Sequence, residues 1–359
     1  MAAGSGKGIA GTAYGGRSYL NYTSDEMHHN NNDLTSNCQV TNYKDKHNVQ
    51  YCDLVSLPDL CTGCSSVQST LGAYLTRLRS LGVKGVRIDA AKHQDATELA
   101  GVLSHAPSDL LVFQEVIAGA GEAVTVDMYY GNGLVTEFNY AYSAVAPNIV
   151  NDGKLQYLKT LGESWGLMPS SSAIVFLDNH DTQRGGAPLT YKDGQLYYFA
   201  NIFMLACGYG YPKVMSSYYF STHDQGPPSN PVHIAGSNAT RCFDNQNWVC
   251  EHRQPAIANM FAWRKIAGAS PIDNWQTFTP DQVSFSRGNA FIALNRATND
   301  MVFQAMTGLA PGSYCNIIVD DNPATCPHIT VGDGGKVVLN VPPKTAMALH
   351  LGAAVKLLK

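Results

Sequence analysis

Three times in this chain an apolar, β-branched run ends in a carboxylate, with helical spacing between the runs. The runs are GVRIDAAKH (Gly85–His93), FQEV (Phe113–Val116) and FLDNHD (Phe176–Asp181), and the acids are Asp89, Glu115 and Asp181. Each run reads as a buried strand that emerges into a loop. Buried strands alternating with helices imply a parallel sheet or a (β/α) barrel. Acids delivered by the ends of separate strands are how a barrel assembles a site from distant sequence.

The segments between fit this reading. Val67, Leu71, Tyr74, Leu75, Leu78 and Leu81 repeat at helical spacing, and Gly82 follows as a cap. A strand is expected over Val83–Ile88, a helix from Asp95 to Leu103, and strands over Leu110–Val116, Leu134–Phe138 and Ala173–Leu177. Helical stretches are expected from Tyr140, over Leu155–Leu161, Tyr191–Cys207 and Gln254–Ala267, with a strand over Lys213–Ser217. From Pro271 the texture becomes β-rich runs broken by Gly, Pro and Asn, which predicts an antiparallel β-sandwich. Three domains are expected: an irregular module over 1–65, a (β/α) barrel region over 66–270 and the sandwich over 271–359.

The net charge of −4 gives no support to nucleic-acid or anionic-membrane binding. No apolar run reaches the roughly 18–20 residues of a membrane span. Nine cysteines point to an oxidising compartment. Cys242 with Cys250 and Cys315 with Cys326 are close in loop-rich sequence, and Cys38 and Cys52 bracket a polar loop. Cys61 and Cys64 form C-x-x-C, which reads as a small disulfide rather than a zinc or redox motif, because no second C-x-x-C accompanies it. Cys207, in an apolar helical run, is left as a buried free thiol. Asn21 and Asn238 stand in glycosylation sequons. The first residues, MAAGSGKGIAGTAYGG, contain no apolar core of a signal peptide.

Alone, each of the three acids reads as a turn former or helix cap; their order and spacing carry the chemical reading. Retentive cleavage of a glycoside needs a carboxylate nucleophile and a carboxylic acid about 5–5.5 Å apart. Asp89 and Glu115 are 26 residues apart, close to one βα unit, which predicts neighbouring strands. Arg87 lies two residues before Asp89, on the same side of an extended strand, where its charge favours an ionised nucleophile.

With these motifs the chain resembles the α-amylase family of glycoside hydrolases, in its secreted animal and fungal forms. GVRIDAAKH resembles the family's nucleophile motif, FQEV its acid/base motif and FLDNHDTQRG its third-acid motif; YYGNGLVTEF, ESWGLMPS, KVMSSY, WVCEHR and VSFSRGN extend the likeness along nearly the whole chain. The resemblance implies an endo-acting α-1,4-glucan hydrolase on starch, glycogen or maltooligosaccharides, secreted and monomeric. Asp89 is then the nucleophile, Glu115 the acid/base and Asp181 the transition-state stabiliser. Tyr43, Arg87, Lys92, His93 and His180 resemble sugar-binding positions. NVQYCDLVSLPDL (Asn48–Leu60) resembles a calcium segment, in which Asp59 ligates by its carboxylate and Gln50 and His93 by backbone carbonyls. Oxygen-only ligands suit Ca²⁺. Arg87, Asn179 and Lys213 stand where some relatives bind an activating chloride, with Lys213 replacing a more usual Arg. A transglycosylase of the same chemistry and a catalytically silent binding protein are the competing readings; retention of all three acids disfavours the second.

The resemblance also implies a chain that begins inside the family's inserted domain. Five of eight barrel strands are expected, ending near Ile88, Val116, Phe138, Leu177 and Ser217, with the first three, about 90–100 residues at ~30 per unit, absent. Met1 is read as the internal Met of an Asn-His-Met motif. A sheet so shortened exposes its edges and apolar faces. The expectation is that these 359 residues expressed as written are insoluble or inactive on starch. Calcium-dependent release of maltose would refute it. The loop after the third-acid motif, Arg184–Leu189, is also short for an animal enzyme.

Overall fold

A computed structural model describes residues 4–15, 17–28 and 38–355; Met1 lies outside the described residues. The chain divides into two units. One comprises Met1–Thr136 with Ser171–Ile174, the other Glu137–Ser170 with Val175–Lys359.

The first unit opens with an irregular stretch containing the short hairpin β1 (Gly6–Lys7) and β2 (Ala13–Tyr14). Helix α1 (Lys46–Tyr51) starts where the Asp45 carboxylate accepts the amides of His47 and Asn48. Disulfides Cys38–Cys52 and Cys61–Cys64 staple this stretch. Helix α2 (Ser65–Ser80) ends at Leu81, and Gly82 takes φ +97°, the left-handed conformation expected of a helix-terminating glycine. β3 (Gly85–Ile88), α3 (Ala96–Ser104), β4 (Leu111–Gln114) and β5 (Leu134–Thr136) follow. The start of β6 (Ala173–Val175) completes a parallel sheet in the order β3-β4-β5-β6. Leu75, Val102 and Leu110, with Leu71, Val83 and Val86 around them, bury α2 and α3 against this sheet.

Gly72 is the contact point of α2 with α3. A β-carbon there would stand 2.2 Å from His105 Cβ. Gly72→Ala gains about 1 kcal/mol in helix propensity but forces apart a close backbone approach, at about 1–3 kcal/mol. A net loss of stability is expected, read as a lower urea midpoint.

In the second unit, the run from Tyr140 forms one π-turn (Tyr140–Val145) before α4 (Ala146–Ile149), not a continuous α-helix. Pro147 supplies no amide to the ladder there, which widens the preceding turn. Leu155–Thr160 is 3₁₀, not α; the amides of Leu155 and Gln156 are taken by Asp281 and by the Pro280 carbonyl. Helix α5 (Gln195–Ala206) is separated by Gly194 from a 3₁₀ turn at Tyr191–Asp193. The last residue of β6, Val175, lies in this unit, with β7 (Tyr211–Pro212) beside that strand. The strand expected over Lys213–Ser217 does not form. Lys213 N still reaches Val175 O at 2.8 Å, but Ser217 N is claimed by the Glu251 carboxylate at 2.6 Å, so a side chain replaces the ladder. Helix α6 (Pro255–Ala267) packs on α5.

The sandwich sheets run β15-β10-β9-β8 and β11-β14-β13-β12. Their strands are β8 (Asp273–Thr279), β9 (Gln282–Arg287), β10 (Ala290–Asn295), β11 (Gln304–Met306), β12 (Gly312–Cys315), β13 (His328–Val331), β14 (Lys336–Val338) and β15 (Thr345–His350). Phe291, Ala293, Tyr314, Val331, Leu339 and Leu349 fill the space between the sheets. Two guanidiniums fasten these layers, Arg264 joining α6 to the end of α5 and Arg287 joining β9 to both helix ends. Arg264 donates to the carbonyls of Leu205, Cys207 and Gly210, and Arg287 to those of Ala206, Cys207, Gly268 and Ser270. Disulfides Cys242–Cys250 and Cys315–Cys326 form as expected, and Cys207 is a buried free thiol. Among the described residues no helix is long and apolar enough to cross a membrane.

Candidate active site

β3 and β4 pair in parallel with Ile88 opposite Gln114. Asp89 and Glu115 therefore occupy equivalent positions, one residue beyond each strand, and Glu115 N donates to Ile88 O at 2.9 Å. Period-two alternation puts Arg87 on the same side as Asp89. Its Nη1 hydrogen-bonds Asp89 Oδ1, and its Nη2 lies 2.7 Å from Glu115 Oε1. The second contact is a charge pair whose N–H direction falls short of a hydrogen bond. One guanidinium thus spans both acids. They differ in exposure: the Asp89 side chain is 75% exposed and that of Glu115 10%. Glu115 Oε2 accepts the amide of Ala90 at 3.0 Å. Ala90 sits at φ +47°, a left-handed conformation uncommon for alanine, and this turn aims its N–H at the acid.

The 3₁₀ turn Ala91–His93 carries the next two candidates. Lys92 is buried; its ammonium donates to Glu122 at 2.5 Å and to the Ile117 carbonyl at 2.7 Å, and lies 4.3 Å from the Tyr43 ring centre. Tyr43 packs edge-on against His93, with ring centres 6.0 Å apart. His93 Nδ1 is 3.0 Å from Val49 O. Burial holds the imidazole below its ordinary pKa, against the pull of that carbonyl.

The same bond ties the turn to α1 and brings Gln50 and His93 onto adjacent elements. Gln50 is fully buried; its Nε2 donates to Tyr129 at 3.0 Å, and its Oε1 has no partner among the described residues. Asp59 has partners of its own. Its Oδ2 meets His28 Nδ1 at 2.7 Å, and its amide donates to Asp53 at 3.1 Å. Burial pushes its carboxyl up, while the His28 bond opposes the shift. Among the described residues no three His, Cys, Asp or Glu side chains gather as a metal cluster. A cation here would rely on carbonyl oxygens with one carboxylate, a donor set that fits Ca²⁺ and not zinc.

The second unit holds Asn179, His180, Asp181 and Lys213. Asn179 Oδ1 accepts the amides of Asp181 (3.0 Å) and Thr182 (2.8 Å), a side-chain turn that fixes the backbone of Asp181. Asp181 is 68% exposed at its side chain, with Oδ2 3.3 Å from His180 Nε2. Thus Asp89, Glu115 and Arg87 form one cluster, Tyr43, Lys92 and His93 a second, and Asn179, His180 and Asp181 a third.

Sequence reasoning missed five participants. The Ala90 amide has no signature, because any residue supplies an N–H. Glu122 and His28 pair with residues about 30 positions away, beyond local patterning. Asp178 and Glu251 lie buried behind Asp181. The Asp in FLDNHD and the Glu in WVCEHR, acids inside apolar strings, were the available signal.

No family model matches the chain. It is 40% identical to an alpha-amylase of Streptomyces violaceus over 358 residues, covering 98% of this chain and 59% of that protein. It is 38% identical to pancreatic alpha-amylase 2a5 of Mus musculus over 343 residues, covering 86% of this chain and 67% of that one. The crystal structure of alpha-amylase I from Eisenia fetida superposes with a TM-score of 0.85 at 30% identity, covering 97% of this chain and 78% of that one. A mutant of the same protein in complex with maltohexaose superposes at 0.86. The chain therefore spans between about three fifths and four fifths of the length of these relatives. The parallel strands and antiparallel sheets fit a TIM-type barrel with a β domain. On this sequence identity and structural likeness, the chain belongs to the alpha-amylase family of glycoside hydrolases.

Proposed function

We propose that the protein hydrolyses internal α-1,4-glucosidic bonds of starch- or glycogen-type polysaccharides with retention of configuration. The observation that carries this reading is the placement of Asp89 and Glu115 at equivalent ends of adjacent parallel strands, spanned by one guanidinium. Two carboxyl groups that share one guanidinium support a covalent, double-displacement route, in which one acts as nucleophile and the other as acid and base. Glu115 gives its proton to the departing glycosidic oxygen while an Asp89 oxygen bonds to the anomeric carbon. Glu115, now a carboxylate, takes a proton from water as that water displaces Asp89. Asp181 steadies the positive charge that develops on the sugar. Tyr43, Lys92, His93 and His180 orient sugar hydroxyls, and Arg87 holds the Asp89 carboxylate in place by a hydrogen bond. The Eisenia relative bound to maltohexaose supports an oligosaccharide ligand. The four disulfides support a secreted protein. The deciding assay digests soluble starch with the native protein and follows the anomer first released by proton NMR. The α-anomer of maltooligosaccharides is expected; the β-anomer, or a transfer product in place of hydrolysis, would refute the reading.

Calcium is part of the proposal, held by the Asp59 carboxylate and the carbonyls of Gln50 and His93; when bound, it supplies a structural clamp and no redox chemistry. Arg87, Asn179 and Lys213 are the proposed chloride contacts. Adding Ca²⁺ to chelator-treated protein is expected to raise the melting temperature, and Asp59→Asn to remove most of that rise. An equal rise in the variant would exclude Asp59 as a ligand.

A further inference from the structure

Behind the turn that carries Asp181 lies a group of buried acids with no role in the mechanism above. Asp178 is 3% exposed and Glu251 fully buried. Tyr197 of α5 donates its hydroxyl to Asp178 Oδ1 at 2.7 Å, and Ser217 N donates to Glu251 Oε2 at 2.6 Å. The other oxygen of each acid, Asp178 Oδ2 and Glu251 Oε1, is enclosed without a hydrogen-bond partner among the described residues. Two bare carboxylate oxygens in such a place are costly. Each is short of one donor, and the Glu251 charge acts on Asp178 within this enclosed site.

A continuous hydrogen-bond route leads from this pair to the catalytic turn. Glu251 Oε2 accepts Ser217 N, and Ser217 Oγ donates to Gln183 Oε1 at 2.9 Å. Gln183 N donates to Asn179 O at 3.0 Å, and Asn179 Oδ1 accepts the amide of Asp181 at 3.0 Å. Asp178 adjoins Asn179 in the chain, so both acids hold this turn, one covalently and one through Ser217 and Gln183.

We propose that Asp178 and Glu251 are positioning residues that share one proton, and that this neutralised pair fixes the turn presenting Asp181 to the substrate. The proposal rests on the role assigned to Asp181 above. The electrostatics agree with the geometry. Burial pushes the Asp178 carboxyl up to about 7, and the Glu251 charge pushes the same way against the Tyr197 bond. Burial also raises Glu251, opposed by its bonds to Ser217. The other groups that face the pair are Asp193, which raises Asp178 further, and Tyr191, Tyr198 and Tyr219, which feel the Glu251 charge. Loss of the shared proton puts two negative charges in one enclosed site, and their repulsion loosens the turn. Activity should therefore fall as the pair ionises on the alkaline side.

The test uses the native protein with Asp178→Asn, Glu251→Gln and Asp178→Ala. Carbon-13 NMR of the side-chain carboxyls should show a resonance titrating near neutrality that vanishes in both amide variants, because it belongs to the pair. In either amide variant the alkaline limb of kcat should move to higher pH with the acid limb in place, because an amide N–H cannot be titrated away. Asp178→Ala should lower kcat roughly tenfold with KM within about twofold, the signature of a lost transition-state interaction, and Asp178→Asn should recover most of it. Two carboxyls that titrate independently, an alkaline limb unmoved in both amide variants, or an alanine variant that loses only melting temperature would each overturn the proposal. A protein without glycosidase activity whose carboxyl resonance still behaves as described would uphold the shared proton, while its use in catalysis would fall with the assigned function.

Discussion

Replacing Glu115 by Gln in the native protein is expected to lower kcat on starch about 100- to 10,000-fold, the range associated with proton transfer by a positioned acid. The substitution keeps shape and most contacts: the amide oxygen still accepts the Ala90 N–H, and the side chain stays buried at the end of β4. It removes the group that hands a proton to the departing oxygen, and the charge facing Arg87 Nη2. KM should change little, because the lost interaction belongs to the transition state. A maltosyl fluoride, whose leaving group needs no proton, separates the roles. Formation of the glycosyl–Asp89 intermediate from it should be far less impaired than cleavage of starch. Equal losses on both substrates would mean that Glu115 holds the site together and does not act as its acid.

The second large effect concerns stability. Asp178 has a folded pKa of about 7, above the ordinary aspartate value of 3.8. At low pH both folded and unfolded chains hold the proton and no penalty applies. As pH rises between roughly 4 and 7 the unfolded chain releases it first, so the folded state loses ground by up to about 1.4 kcal/mol per pH unit. Above about 7 the penalty is complete, about 4 kcal/mol as an upper bound from these two values. The native protein should therefore melt at lower temperature at pH 8 than at pH 5. Asp178→Asn should flatten that slope and gain about 1–3 kcal/mol at pH 8, since its amide oxygen still accepts the Tyr197 hydroxyl and the side chain has no charge to bury. Parallel melting curves for the two proteins across this pH range would exclude Asp178 as the source.

What could be read in advance was local. Gly82 after an amphipathic run marked the end of α2, and Asp95 marked the start of α3, because helix ends are decided within a turn of chain. The short-range disulfides were legible for the same reason. Arg87 beside Asp89 followed from strand alternation, and the pairing of β3 with β4 from a separation of one βα unit. Failures came where long-range partners override local preference. Lys213–Ser217 has the composition of a strand, but a carboxylate from Glu251 replaces the ladder. Leu155–Thr160 has helical spacing, but its first amides belong to the segment around Asp281. Lys92 shows the same limit within the site: its burial against Glu122 depends on a loop 30 residues away, so the family resemblance could mark it as a candidate without revealing its partner.

Arg287 carries a consequence for how the second unit comes apart. It is rooted in β9, is 3% exposed, and binds carbonyls at the ends of α5 and α6. Pulling the sandwich away from the helices would strand a positive charge and take a donor from four carbonyls in one step, of which Cys207 alone keeps the Arg264 guanidinium. Neither layer can melt at the expense of itself alone, so the helices and the sandwich share one cooperative unfolding transition. A cut in the chain between α6 and β8 would divide the covalent chain without dividing the thermodynamic unit.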